Sequence, residues 1–287
     1  MPPRAAPSAR QRRLGTELRK MRERAGMSPL AAAEALGTNR TGISNLEAGR
    51  FGISEERLRT LAAIYSCTDR PYIDALAKMA TLREKGWWEH YRESMPTAAL
   101  SLAELEHHTR RILTVQILHI PGILQTEEYA KGVLLSDVPR PEPTMLRQRL
   151  SFRMRRRDVL DKNDPPHCMF LIHEAALRFI SHDPVVALGQ AEYLRECSER
   201  HNVTIRAIPF NAGIFPNTGI STVYAAGDVE RLDTVHLEVP HGNVLLDAES
   251  HLEKYRAILK RVQEISLTPQ ETMLLIESII HTLRKDR

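Results

Sequence analysis

Apolar positions in the first third of the chain recur every three or four residues, the spacing of helices buried along one side. Leu14, Leu18 and Met21 form such a stripe over residues 11–24, ringed by Arg12, Arg13, Arg19, Arg22 and Arg24. Ser28 then caps a second helix, and Pro29 takes its first position, where a missing N–H costs nothing. Ala32, Ala33 and Leu36 follow, and Gly37 supplies a turn. Thr38 or Asn39 caps a third helix, over 39–48, that turns Ile43 and Leu46 inward and stops at Gly49. Ser54 caps a fourth, with Glu55 and Glu56 at its positive end and Leu58, Leu61, Ala62 and Tyr65 on the buried side. A fifth runs from about Asp69 to Lys85, with Ile73, Leu76 and Ala80 toward the core.

After residue 100 helical and two-residue periods alternate. Helices are predicted over 100–106, 126–135, 143–160, 174–180, 185–200, 249–265 and 268–285, the last opened by a Thr268/Glu271 capping box. Strands are predicted over 111–120, 168–173 and 203–210, with three more short ones between 221 and 247. The fold class is therefore multidomain: an all-α domain followed by a mixed α/β (α+β) domain. The boundaries are a flexible basic tail over 1–10, the helical domain over 11–85, a junction over 86–99 and the α/β domain over 100–287.

The third helix carries the first candidate chemistry. Its outward residues are Arg40, Thr41, Ser44 and Asn45, all rich in hydrogen-bonding groups, which suits a DNA major groove. Arg40, Thr41 and Asn45 are assigned to base edges; Arg40 can pair two acceptors of a guanine. Ser44, Asn39 and Arg50 are assigned to phosphates. Glu47 is assigned to bracing the fold, since a carboxylate repels phosphate. Charge agrees: residues 1–85 hold 16 Lys/Arg against 9 Asp/Glu, whereas 86–287 hold 24 against 27. A double-stranded polyanion partner belongs to the first part, and some arginines of the first helix are expected to neutralise its phosphates.

The stretch 27–50 resembles the helix-turn-helix of the XRE (phage-repressor and Cro-like) regulators, through Ala33, Gly37, Ile43, Ser44, Leu46, Glu47 and Gly49 at that family's spacing. Two positions depart from it. Pro29 stands where many relatives place a phosphate-touching Gln, and Ala32 stands where a Leu is usual, which predicts a local core that is thinner or filled from elsewhere. The second half is similar to the C-terminal domain of unknown function that follows such a motif in actinobacterial WhiJ-like developmental regulators. The blocks that carry this are G-W-W (86–88), P-G-I-L-Q-T-x-x-Y-A (121–130), R-Q-R (147–149), H-E-A-A-L-R (173–178), V-T-I-R-A-I-P-F-x-A-G (203–213) and S-L-T-P-Q-E-T (266–272). The resemblance implies a transcriptional regulator, described in relatives as developmental or antitoxin-like and often encoded beside a small acidic partner protein. A homodimer held through the C-terminal domain is expected, since single modules of this type bind half-sites weakly.

Ligand or partner contacts are assigned to Trp87, Trp88, Gln125, Arg147, Phe210 and Phe215. The paired tryptophans read as a hydrophobic anchor or as a stacking platform. The apolar loops at 121–126 and 203–216 read as a pocket, as a groove for a partner, or as core-filling turns. The crowded arginines Arg147, Arg149, Arg153, Arg155, Arg156 and Arg157 read as a solvated face paired to Glu142, Asp158 and Asp161, as a second polyanion surface, or as an acidic partner's dock. No cofactor or metal is expected: His167-Cys168 lacks a zinc spacing, and His173-Glu174 lacks the second His of a metalloprotease helix. There is no G-x-S-x-G and no phosphate-binding G-K-S/T, so no enzyme is expected; His173, Glu174 and Asp183 read as a buried His and helix caps. The alternatives left standing are control by a partner protein, ligand sensing and an antitoxin-like role. Three scattered cysteines, no apolar run of the ~18–20 residues a membrane helix needs, and no apolar stretch behind the basic N-terminus lead to the expectation of a cytoplasmic protein without a membrane partner.

Overall fold

The first helical stripe forms α1, Ala9–Arg24, which buries Leu14, Leu18 and Met21. In this computed structural model residues 7–81, 86–239 and 242–285 are described; the tail before residue 7 and the stretch 82–85 lie outside them. Four further helices complete the first unit: α2 (Pro29–Ala35), α3 (Arg40–Glu47), α4 (Glu55–Ile64) and α5 (Arg70–Thr81). Their starts are set by the caps that the sequence offers. The side-chain oxygens of Ser28, Asn39 and Ser54 each accept an N–H three residues on, one of the four donors a helix start leaves orphaned.

The core of this unit differs from the sequence expectation in one place. In α5 the fully buried residues are Leu76, as expected, and Tyr72, whereas Ile73 is only half-buried. The Tyr72 hydroxyl donates to Glu17 Oε2 at 2.7 Å, and Glu17 is itself buried and meets Lys20 Nζ at 2.8 Å. A large ring with a satisfied polar end is thus part of this core, as are the small Ala32 and Ala33, both fully buried.

The chain divides into two compact units, Met1–Glu89 and His90–Arg287. The second unit is built on a six-stranded mixed sheet of β1 (Arg111–Gln116), β2 (His167–His173), β3 (Val203–Ile208), β4 (Thr222–Ala226), β5 (Thr234–Val239) and β6 (Gly242–Leu246). The strand order is β3-β2-β1-β4-β5-β6. The first three strands run parallel, and β4, β5 and β6 join antiparallel. The parallel part follows from the crossover helices α7 (Glu127–Leu135), α8 (Pro143–Arg156) and α10 (Pro184–Ser198); parallel strands need such long connections.

Helices cover both faces, so β2 reads as a nearly continuous apolar run, Cys168 to Ile172. Cys168, Phe170 and Ile172 pack with Leu188 and Leu194 of α10 and with Ile276 and Ile280 of α12 (Pro269–Lys285). Leu171 points the other way, with Val115, Tyr224 and Val235, toward Leu252, Leu259 and Val262 of α11 (Glu249–Ile265). Burial lifts the Cys168 thiol to about 12, which keeps it an inert core group. The remaining helices are α6 (Thr97–His108) and the short α9 (Glu174–Arg178).

Three predicted elements end early, each for a local reason. The 111–120 strand stops at Gln116 because Ile120 turns to side chains: its N–H donates to the Tyr129 hydroxyl (3.2 Å) and its carbonyl accepts from Gln125 Nε2 (2.7 Å). The 143–160 helix tightens into a 3₁₀ turn after Arg156. The 203–210 strand stops before Pro209, which has no N–H for the ladder.

Candidate nucleic-acid interface

The helix assigned to the groove is held from below and bare on top. Ile43 and Leu46 are buried, whereas Arg40, Thr41 and Ser44 are exposed and Asn45 is half-buried. Asn39 is exposed too, but its Oδ1 accepts the Gly42 N–H at 2.7 Å, so only its amide N–H groups remain to donate to a phosphate. Arg50 is exposed just beyond the end of α3, its backbone N–H bonded to the Asn45 carbonyl at 2.9 Å.

Two glycines let α1 come close to α3. A Cβ at Gly15 would lie 2.5 Å from the Glu47 carbonyl oxygen, and one at Gly49 would lie 2.6 Å from the Gln11 carbonyl oxygen. Gly49 also takes a φ of 68°, the left-handed conformation that ends a helix. Over this approach lies a bidentate pair: Arg22 Nε and Nη2 meet the two oxygens of Glu47 at 2.6 and 2.9 Å, and Arg22 Nη1 donates to the Met27 carbonyl at 2.8 Å. Arg22 is 6% exposed. The hydrogen bond to Glu47 raises its guanidinium above the ordinary value, against the opposing effect of burial. Glu47 braces the fold.

The α1 arginines differ in what they leave for a phosphate. Arg22 is buried in that pair, Arg13 lies 3.1 Å from the buried Glu17, and Arg19 bonds Glu23 at 2.7 Å. Arg19 and Arg24 stay exposed. The interface that geometry leaves open is Arg40, Thr41, Ser44, Asn45 and Arg50, with Asn39 at its edge. The sequence reading missed Gly15, Glu17 and the Arg22–Glu47 pair. Only the identity of Gly15 inside a helix hinted at any of them.

The six residues assigned to ligand or partner contact are divided between the two units. Trp87 and Trp88 lie in the first unit, edge to face at 6.0 Å, with Trp88 buried. Gln125 is buried in the second unit, and Arg147 is exposed with Nη2 on Thr144 Oγ1 at 3.1 Å. Phe210 and Phe215 do come together, both against the His173 ring, at 5.4 and 5.9 Å.

That contact explains two of the sequence blocks. His173 Nδ1 accepts the Ala175 N–H and caps α9. Glu174 accepts the Phe210 N–H at 2.9 Å and Arg178 Nε at 2.7 Å, tying the loop after β3 to the end of β2. Burial alone would raise the Glu174 carboxyl; those two donors hold it below the ordinary value. The crowded arginines of α8 also find partners other than those expected. Arg149 pairs with Asp137, Arg153 with Gln125, Arg156 with Glu106, and Arg157 with the Tyr193 hydroxyl.

A family model described as "Domain of unknown function (DUF5753)" matches residues 100–278, more than half of the chain. The chain belongs to that family. A second model, described as "Helix-turn-helix domain", matches residues 13–76, from within α1 to within α5, and supports a DNA-binding regulator. No curated protein and no solved structure matches the chain. Among the described residues no helix is long and apolar enough to cross a membrane, and no group of three or more His, Cys, Asp or Glu is arranged to hold a metal ion.

Proposed function

We propose that the chain is a sequence-specific transcriptional regulator of the XRE type that lays α3 in the DNA major groove. The observation that carries this reading is the split of α3: Ile43 and Leu46 buried, Arg40, Thr41 and Ser44 exposed on a helix fixed at both ends. Arg40, Thr41 and Asn45 read bases, and Ser44, Asn39 and Arg50 hold phosphates. A bidentate Arg–guanine contact discriminates by ~1–3 kcal/mol. The regulator acts in the cytoplasm as a homodimer on half-sites about one helical turn (~34 Å) apart.

A small acidic partner protein governs it through the second unit, of the kind often encoded beside the developmental or antitoxin-like regulators it resembles. What supports a protein partner is the apolar surface around the carboxyl ends of β2 and β3, where Phe179, Phe210 and Ile214 are 77%, 53% and 102% exposed.

The test is binding to the DNA upstream of the chain's own gene, titrated in salt, with and without the protein encoded beside it. Specific binding that weakens steeply with salt, and that shifts when the neighbour is added, supports the reading. Arg40→Ala should lose preference at one base position while keeping the fold; unchanged preference would exclude Arg40 as a reader. Light scattering at micromolar concentration checks the dimer, and a single monomeric species would count against it.

A further inference from the structure

The strand β6 has a neighbour on one side. β5 pairs with it residue by residue, from Val239↔Gly242 to Val235↔Leu246, and among the described residues no strand lies beyond it. In an antiparallel ladder the N–H and C=O of one residue point to the same side, and successive residues alternate sides. Glu238 sets the phase here, because its N–H donates to the Ser221 carbonyl just before β4. Glu238 and His236 therefore face β4, whereas Val235, Leu237 and Val239 face β6. The partners of those three, Leu246, Val244 and Gly242, turn their own N–H and C=O back to β5. Asn243 and Leu245, opposite Glu238 and His236, turn theirs outward, where among the described residues neither backbone has a hydrogen-bond partner.

Native sheets blunt such an edge with lysine, proline, a bulge or an inward charge, because bare main chain recruits another strand. β6 carries none of these. It reads Gly-Asn-Val-Leu-Leu, and its register with β5 runs without a bulge. Its apolar side chains occupy both faces. Val244 and Leu246 share the face of Leu237, where Leu246 packs against the core that includes Leu252, Leu259 and Val262 of α11. Leu245 lies on the opposite face beside His236. At this edge Val244 and Leu245 are 39% and 38% exposed.

An uncharged strand whose free donors and acceptors stand at alternate positions is its own complement after half a turn about an axis perpendicular to the sheet. With that axis through Val244, all five residues of β6 meet residues of a second copy. Gly242 then meets Leu246, Asn243 meets Leu245 and Val244 meets Val244. The Asn243–Leu245 pairs become the hydrogen-bonded ones, so every outward N–H reaches a carbonyl. The rotation keeps each face of the sheet on its own side. The two Val244 side chains therefore touch on the α11 face, and no like charges stand opposite each other.

We propose that β6 is a dimerisation edge, pairing antiparallel with β6 of a second copy about a two-fold axis at Val244. The assignment rests on the homodimer proposed above and gives it a surface; two-fold symmetry is also what paired half-sites require. An interface built on one short strand falls at the low end of the size scale, under ~1,200 Å², so the dimer should dissociate reversibly at micromolar concentration.

The experiment is sedimentation of the full chain from about 1 to 100 μM without DNA, with amide exchange read residue by residue by NMR over the same range. The unmodified chain should pass reversibly from monomer to dimer. The Asn243 and Leu245 amides should exchange fast in the monomer and slowly in the dimer, whereas those of Val244 and Leu246, held by β5, are protected in both. Val244→Lys sets two ammonium groups about 5 Å apart at the axis and should raise Kd at least about tenfold. Leu245→Pro removes an outward N–H and no bond to β5, so it should do the same while circular dichroism shows the fold intact. Val244→Thr, β-branched and uncharged, should dimerise within about threefold of the unmodified chain. Leu274→Lys, which charges an exposed apolar position of α12 instead, should dimerise as the unmodified chain does. A chain still monomeric at about 100 μM would overturn both the edge and the homodimer, and would leave β6 to a strand of another protein. A dimer that Val244→Lys and Leu245→Pro leave intact, or one in which the Asn243 and Leu245 amides stay fast, would keep the homodimer and overturn the edge.

Discussion

Glu47→Ala would strip the carboxylate from a buried guanidinium and leave Arg22 with the Met27 carbonyl at 2.8 Å and, at 3.8 Å, an oxygen of the exposed Glu23. Arg22 and Glu47 side chains are 7% and 11% exposed, so water does little to replace what is lost. Removing one partner of a buried pair costs ~3–5 kcal/mol. A unit of this size has roughly 0.05–0.15 kcal/mol of stability per residue, so the loss is a large share of the whole. At about 4–8 °C per kcal/mol for a small domain, the first unit's Tm should drop by at least ~12 °C. Circular dichroism of the full chain reads the drop, and hydrogen exchange at α1 and α3 amides assigns it to the first unit. The double variant Arg22→Met/Glu47→Leu should recover most of the loss, because no lone charge stays behind. At temperatures where Glu47→Ala is still folded, its affinity for DNA should change less than about threefold, since Glu47 braces α3 and does not touch the duplex. A single-variant cost under ~1 kcal/mol, or a double variant no better than the single, would refute the bracing argument.

Gly15→Ala should destabilise the first unit by ~1–2 kcal/mol in urea melts: overpacking against the backbone oxygens of Leu46 and Glu47 outweighs the ~1 kcal/mol that alanine gains in a helix. Gly132→Ala in α7, where a Cβ meets nothing within 4 Å, should stabilise the second unit instead. His236 gives a pH signature. Its folded value of about 4 lies below the unfolded 6.5, so the unfolded chain takes the proton first and stability falls as pH drops from about 6.5 toward 4. The full effect is about 3 kcal/mol at 1.36 kcal/mol per unit; His236→Leu should flatten that limb of a urea-melt pH series, and an unaltered slope would rule His236 out as its source.

What depends on neighbours a few residues apart was legible in the chain. The stripes of α1 and α4, the caps at Ser28, Asn39, Ser54 and Thr126, and the Thr268/Glu271 box are all of this kind. What depends on which elements meet was not. Arg22 finds Glu47 across 25 positions and Tyr72 finds Glu17 across 55, and neither distance leaves a local pattern. Gln190 is the sharpest case. Its Oε1 accepts the Thr126 N–H and its Nε2 donates to the Leu124 carbonyl, so one glutamine on α10 fixes the loop after β1. In sequence it is one polar residue among many in a helix. The exposed face of α3 was legible because the helix is short and capped; the pairing of Arg22 was not, because a cation's partner cannot be seen from its own stripe.

The two margins of the sheet are unlike. At β3 the chain has closed its own edge: Leu267 N–H bonds the Ala207 carbonyl and Thr272 Oγ1 takes the Ala207 N–H, both at 2.8 Å, with Arg206 reaching the Ser266 and Leu267 carbonyls. At β6 the ladder ends on an uncharged strand with Val244 and Leu245 partly open to solvent, and among the described residues no further strand follows. A sheet with two open margins can add copies without limit and grow into a fibre. With one margin sealed, any edge-to-edge pairing of this sheet with itself uses up its single free side and terminates at two chains.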